Sequence, residues 1–220
     1  MKMMILDTET TNDIDYPLCY DVGYQIFEDE TGIVLAENSM VNADIFCDKQ
    51  LMESAYFADK IPQYWEEIKM GARELMSWHK IKNRLYEAIK MYDCKGVIAH
   101  NARFDYRSLH TTQRYITTSK FRYVLPWDVE WVDTLKMARE VLKNDDDYKQ
   151  FCIENNYLTA NYQSKMTAEV LYRYITGKAD FEESHTALED ARIEKLIYFY
   201  CKNRNPDIDG RLWAPKTITG

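Results

Sequence analysis

The chain has 220 residues, 46% of them hydrophobic and 29% charged, enough apolar content for one packed α/β domain and too much for a disordered chain. Its 28 Lys and Arg against 36 Asp and Glu give a net charge of −8, so it lacks the bulk positive field of a protein that coats duplex nucleic acid. The five cysteines, Cys19, Cys47, Cys94, Cys152 and Cys201, form no C-x-x-C pair, which argues against a zinc site and for reduced thiols in a cytoplasmic protein.

The N-terminal "MKMMILDTET" reaches charge too soon for a secretory leader, and no apolar run approaches membrane-spanning length. Within it "MMILDTET" reads as a first strand, apolar and then abruptly polar. "YDVGYQIFEDETGIVLAENSMV" reads as two strands joined at the turn signal "EDETG". From about Asp59 to Tyr92, apolar residues recur at three- and four-residue spacing in "IPQYWEEIKMGARELM" and "HKIKNRLYEAIKMY", predicting two helices with a break between Gly71 and Trp78. "GVIAHN" is a short buried strand leading into the helical "RFDYRSLHTTQRYI", and "WDVEWVDTLKMAREVL" is a strand running into a helix. The remainder, from about Tyr148 to Cys201, reads as mostly helical. This order predicts a mixed sheet flanked by helices in a single domain over residues 1–205, followed by a polar tail over 206–220.

Three segments carry carboxylates where chemistry would use them. On a strand, Asp7 and Glu9 project to one face while Leu6 and Thr8 face the other. Two carboxylates that close repel unless protonated or bridged by a cation, and oxygen ligands of this kind suit Mg²⁺ or Mn²⁺. Asp105 follows the strand ending in His100 and Asn101, at the carboxyl end where α/β sheets bind ligands, although Asn101 or Asp105 would equally serve a helix N-terminus. In "ESHTALEDARIEK", Thr186 and Glu189 match a capping box, so the helix is predicted to start at Ala187. His185 then lies in an exposed, adjustable lead-in, with Asp190 fixed on the first full turn. Neither spacing is informative alone: D-x-E recurs at Asp128 and Glu130, and H-x₄-D at His100 and Asp105.

The ordered set is informative. D-x-E in "DTET", N-x-x-F-D in "HNARFD" and H-x-A-x-x-D in "HTALEDA", with the Asp-Thr-Leu element in "WVDTLKMAR", resemble the DEDDh branch of the DnaQ-like 3′–5′ exonucleases. The motifs span residues 7 to 190. The stretch from 42 to 95 is longer and more helical than the compact family pattern, and it lacks the family's His-Gly-Ile element.

That resemblance implies an RNase H-like fold and metal-dependent 3′–5′ exonuclease activity, with two divalent ions, Mg²⁺ or Mn²⁺, held by Asp7, Glu9, Asp105 and Asp190 and with His185 as general base. It implies that Thr8, Thr10, His100, Asn101 and Phe104 line a pocket for the terminal nucleotide. The expected partner is the 3′ end of single-stranded DNA or RNA, with DNA favoured, and a polymerase or other replication or repair protein is a further candidate partner. A strand path through the basic and aromatic "YRSLHTTQRY" and "KFRYVLPW" is a weaker expectation, because tyrosine is common throughout the chain. Two other readings stay open: an exoribonuclease acting on short RNA or tRNA ends, and a non-catalytic nucleic-acid-binding module on the same fold.

Overall fold

A computed structural model of the chain describes residues 1–120 and 123–213. Six strands form one mixed sheet: β1 (Lys2–Thr11), β2 (Leu18–Glu28), β3 (Val34–Asn42), β4 (Glu74–Met76), β5 (Gly96–Ala99) and β6 (Glu130–Asp133). Their spatial order is β4-β3-β2-β1-β5-β6. The β1–β2–β3 meander is antiparallel, while β4 joins β3, β5 joins β1 and β6 joins β5, all in parallel. The parallel additions need crossovers, which the helices provide.

After β3 come two single-turn helices, α1 (Ala43–Phe46) and α2 (Lys49–Met52), then α3 (Ile61–Lys69). α4 (Trp78–Tyr92) leads into β5, α5 (Arg103–Ile116) leaves it, and α6 (Thr134–Leu142) leaves β6. α7 (Asp146–Glu154), α8 (Ala168–Thr176) and α9 (Ala187–Arg204) complete the order. No described helix is long and apolar enough to cross a membrane. The five cysteines are all unpaired.

The period-two alternation of β1 divides the core. Met4 and Leu6 join Val22, Tyr24, Trp78, Leu85 and Leu109 beneath α4 and α5. Ile5 joins Phe27, Met137, Tyr148, Leu171 and Ile197 beneath α6 to α9. A smaller cluster of Tyr20, Ile45, Phe46 and Tyr64 seats α1 to α3 against the end of the meander. β1 thus has both faces covered along its apolar part, while at its far end Thr8 and Thr11 are buried and Asp7, Glu9 and Thr10 are half-buried.

Two expectations need correction. "ELM", at the end of the first of the two expected helices, is an edge strand, because Gly71, at φ +75°, ends the α3 region and Leu75 and Met76 pair with Val41 and Asn42. The region from Tyr148 to Cys201 is mostly helical, as expected, with two long irregular connections, 155–167 and 177–186, the first holding a bridge between Leu158 and Ser164. Part of the expected tail lies along the sheet: Asp133 N–H donates to the Gly210 carbonyl, Leu212 N–H donates to the Trp131 carbonyl, and Arg211 bridges Val132. Residues 214–220 of that tail, and Phe121 and Arg122 of "KFRYVLPW", lie outside the described residues.

Candidate active site

β1 outruns its neighbour. It pairs with β5 only over Met3–Ile5, so Asp7, Thr8, Glu9 and Thr10 extend beyond the carboxyl end of that strand. There they form the floor of a cavity of about 1280 Å³ whose lining includes Asp105, His185 and Asp190. The five residues expected from the sequence to carry chemistry therefore meet at one place.

Asp105 arrives on the first turn of α5, after a tight turn in which Asn101 takes a left-handed conformation at φ +62° and donates its N–H to Asp133 Oδ1. Its carboxylate is 2% exposed and accepts a hydrogen bond from Thr8 Oγ1 at 2.9 Å. Thr8 Oγ1 lies 2.8 Å from Ser108 Oγ, one turn further along α5. Thr8 is consequently buried and orients Asp105 instead of facing the cavity with its hydroxyl.

The delivery of Asp190 depends on a residue that motif reading overlooked. Asp21 sits across from Glu9 on β2 and is fully buried. Its Oδ2 accepts hydrogen bonds from the Ala187 N–H at 3.0 Å, the Tyr64 hydroxyl at 2.7 Å and the Arg73 guanidinium at 2.8 Å. A carboxylate placed at the first N–H of α9 satisfies an orphan donor and faces the positive end of the helix. The expected capping box does not form: Thr186 makes no capping bond and pairs with Ser184, while Glu189 pairs with Arg192. Asp21 takes over the role from the sheet. Two residues along β2, Gly23 lets α9 approach so closely that a Cβ there would lie 2.1 Å from Leu188 N. No local signal in "CYDVGY" marks either residue, because both act on a helix more than 160 positions away.

His185 also departs from expectation. It was expected to be exposed and adjustable, yet its side chain is only 32% exposed and its ring stacks on Phe57, with centroids 3.8 Å apart and planes 12° apart. Its backbone is left-handed at φ +53°, which turns the ring back over the cavity. Nδ1 lies 3.8 Å from Glu183. Burial lowers its pKa, so the imidazole is neutral near pH 7 and free to accept a proton.

The acids repel one another. Burial pushes Asp105 up to about 7 and, with Asp21 nearby, Glu9 up to about 8. Burial and the neighbouring Glu183 and Glu9 push Asp190 up to about 10, and Asp7 is also raised well above the carboxylate range. Ligand atoms of Glu9, His185 and Asp190 all lie within 4.8 Å of one another, and Asp190 Oδ1 has no hydrogen-bond partner among the described residues. Carboxylate oxygens crowded in this way suit hard divalent cations, which would relieve the repulsion.

The remaining expected contacts divide. Thr10, Asn101 and Phe104 line the cavity, and Phe104 is half-exposed with Arg107 over its ring. His100 also lines it, but Nδ1 lies 2.9 Å from Thr134 Oγ1 and Nε2 lies 2.8 Å from the Met166 carbonyl. Since Nε2 faces a carbonyl it carries the proton, leaving Nδ1 to accept from Thr134. Two carboxylates outside the expected motifs complete the lining: Glu183, pushed by burial and Glu169 up to about 7, and Glu194 on α9. Glu194 was visible in principle, since it follows Asp190 by four residues and so shares its helix face. Arg139, Lys143, Lys149 and Lys165, all exposed, form a cationic lip of the same cavity, and Tyr56 stands 88% exposed beside Phe57.

No protein family matches the chain by sequence, and no curated protein does. Several solved structures share its fold. The nuclease domain of 3'hExo, a DEDDh family member bound to rAMP, is 8% identical over 94% of this chain and 94% of that one, with a TM-score of 0.60. A full-length 3'-exonuclease is 8% identical over 99% of this chain and 92% of its own, also with a TM-score of 0.60. Exonuclease I from Methylocaldum szegediense is 16% identical over 94% of this chain but only 41% of its own, with a TM-score of 0.59. The expected RNase H-like fold, a mixed sheet flanked by helices, is therefore the fold of this chain.

Proposed function

We propose that this chain is a metal-dependent 3′–5′ exonuclease of the DEDDh type, hydrolysing the terminal phosphodiester of a single strand to release nucleoside 5′-monophosphates. One observation carries the reading: Asp7 and Glu9, Asp105, and His185 with Asp190 come from three distant segments and line one cavity. The fold shared with solved 3′-exonucleases supports it.

Asp7, Glu9, Asp105 and Asp190 would hold the two divalent cations, Mg²⁺ or Mn²⁺. When bound, these supply positive charge to the phosphate and to the attacking and departing oxygens. The residues fit that role, being oxygen donors with raised pKa values and an unpartnered Asp190 Oδ1. Thr8 fixes the rotamer of Asp105, and Asp21 fixes the end of α9 that carries Asp190. His185 accepts the proton of the attacking water: it is neutral near pH 7, Phe57 holds its ring, and the Glu183 carboxylate stands 3.8 Å from Nδ1 to favour the imidazolium that results.

Phe104 and Tyr56 offer stacking surfaces to terminal bases, and the cationic lip of Arg139, Lys143, Lys149 and Lys165 suits backbone phosphates further along the strand. Both DNA and RNA present these features, and the bound rAMP of the 3'hExo nuclease domain keeps a ribonucleotide substrate in view. The test is a time course with 5′-labelled single-stranded DNA and matching RNA in Mg²⁺, Mn²⁺ or EDTA, beside Asp7→Ala. A metal-dependent ladder shortening from the 3′ end, lost in the variant, supports the reading, and the faster strand names the substrate. Binding of either strand with no shortening in either metal would move the chain to the non-catalytic class.

A further inference from the structure

The buried stripe of α9 runs Ala187, Asp190, Ala191, Glu194, Ile197, Tyr198 and Cys201, the spacing of a helix face turned into the core. Two of its positions carry carboxylates where an apolar side chain would pack. Asp190 is accounted for by the proposed centre; Glu194 is not. It is 3% exposed, lines the same cavity, and is the strongest charged influence on Asp7. The His100 backbone amide favours its charged form, yet Oε2 has no hydrogen-bond partner among the described residues. No arginine, lysine or histidine is paired with it among the described ion pairs, in contrast to Asp21 and Asp29, which are neutralised by Arg73 and Lys202. A buried carboxylate without a cationic partner is retained only where it is protonated or where a cation belongs beside it.

We propose that Glu194 is a fifth carboxylate of the cation centre, acting from the buried part of the cavity lining that it shares with Asp7. The inference rests on the exonuclease reading and goes beyond it, since the resemblance supplies four acidic ligands and none at the position four residues after Asp190. Glu194 lowers the cost of bringing two dications together by adding a negative charge that no protein cation offsets. Its placement on the same helix face as Asp190 means that whatever positions α9 positions both.

Mn²⁺ titration calorimetry on the full chain tests this, with wild type, Glu194→Gln, Glu194→Asp and Asp7→Asn compared, and with metal-free melting temperatures recorded for each. Glu194→Gln is expected to weaken Mn²⁺ binding by roughly 10–100-fold. It is also expected to raise the metal-free melting temperature, because a repelling carboxylate is gone, while shrinking the rise that Mn²⁺ produces. Glu194→Asp, which keeps the charge but shortens its reach, should retain the wild-type metal-free melting temperature and bind Mn²⁺ less tightly than wild type. A purely structural Glu194 predicts the reverse: a lower metal-free melting temperature in Glu194→Gln with Mn²⁺ affinity unchanged, and that result overturns the proposal. If Asp7→Asn loses Mn²⁺ affinity while Glu194→Gln does not, the exonuclease reading survives and this inference fails. If wild type itself binds no Mn²⁺, both fail together.

Discussion

Gly23→Ala tests whether the end of α9 is the part on which the site depends. A Cβ at Gly23 would lie 2.1 Å from Leu188 N, 2.3 Å from the Ala187 carbonyl carbon and 2.4 Å from Leu188 Cα, all of them backbone atoms that no rotamer change can move. Ordinary contact begins at 3.4 Å, so moving from 2.1 to 3.4 Å requires the start of α9 to retreat by about 1.3 Å. Overpacking of this kind costs about 1–3 kcal/mol. The Ala187 N–H to Asp21 bond, now 3.0 Å, would stretch past hydrogen-bond range and add about 1–3 kcal/mol by leaving a buried carboxylate short of a donor. For a domain of this size the sum lowers the melting temperature by roughly 5–20 °C. The same retreat carries His185 and Asp190 away from Asp7 and Glu9, and a misplacement of about 1 Å costs roughly 10²-fold in rate. Differential scanning fluorimetry gives the first quantity, and single-turnover hydrolysis of a labelled strand, at a temperature where the variant is fully folded, gives the second. A variant that melts lower but turns over at the wild-type rate when folded would refute the argument that the seat of α9 on β2 sets the catalytic geometry.

Three other outcomes are expected. His185→Ala should slow hydrolysis by roughly 10²–10⁴-fold while leaving Mn²⁺ affinity by calorimetry near wild type; equal losses in both would make the imidazole a ligand, as its proximity to Glu9 and Asp190 allows. Glu9, Asp105 and Asp190 have folded pKa values raised to about 8, 7 and 10, above their unfolded values, so their contribution to stability is full below the unfolded values and is lost as pH rises through the folded ones. In EDTA the melting temperature should therefore fall between about pH 5 and pH 8, and Mn²⁺ should raise it more at the upper end; a metal-induced shift that is the same at both pH values would contradict the crowding of acids. Lys143→Glu with Lys165→Glu should raise KM for a long single strand with little change in kcat and reduce the salt slope of binding by about 0.7 per lost phosphate contact, whereas an unchanged slope would remove the lip from the strand path.

The elements that were legible in the sequence are those whose pattern is local. β1 with its terminal acids, the β2–β3 hairpin and the helical run Arg103–Ile116 all follow from alternation or from three- and four-residue spacing. The start of α9 at Ala187 was also legible, but for the wrong reason: Thr186 and Glu189 have the spacing of a capping box and make other bonds. A remote carboxylate outcompetes them because it is already desolvated and held by Arg73 and Tyr64. β4 escaped notice because three residues on a sheet edge have no period to detect. Among the residues of the candidate site, the meeting of the acids in one cavity was legible from motif order, whereas the pinning of His100 by Thr134 and Met166, and the stack of Phe57 on His185, are contacts between segments that no spacing within either one records.

The buried bonds of Asp21 bear on how this fold tolerates exchange of parts. Arg73 and Tyr64, which hold that carboxylate, belong to the stretch after β3, and the helix that the carboxylate caps carries Asp190 of the proposed site near the other end of the chain. The helical stretch is thus a counterion for the core as well as a wall, and it is not a removable appendage. A chimera that replaced residues 43–76 with a shorter connection would strip Asp21 of Arg73 and Tyr64, and burial would then hold it protonated, a weaker cap at the foot of the helix on which Asp190 rides. Such a graft would need a second change on β2, to an uncharged capping residue such as Asn or Ser, before the transplanted frame could close.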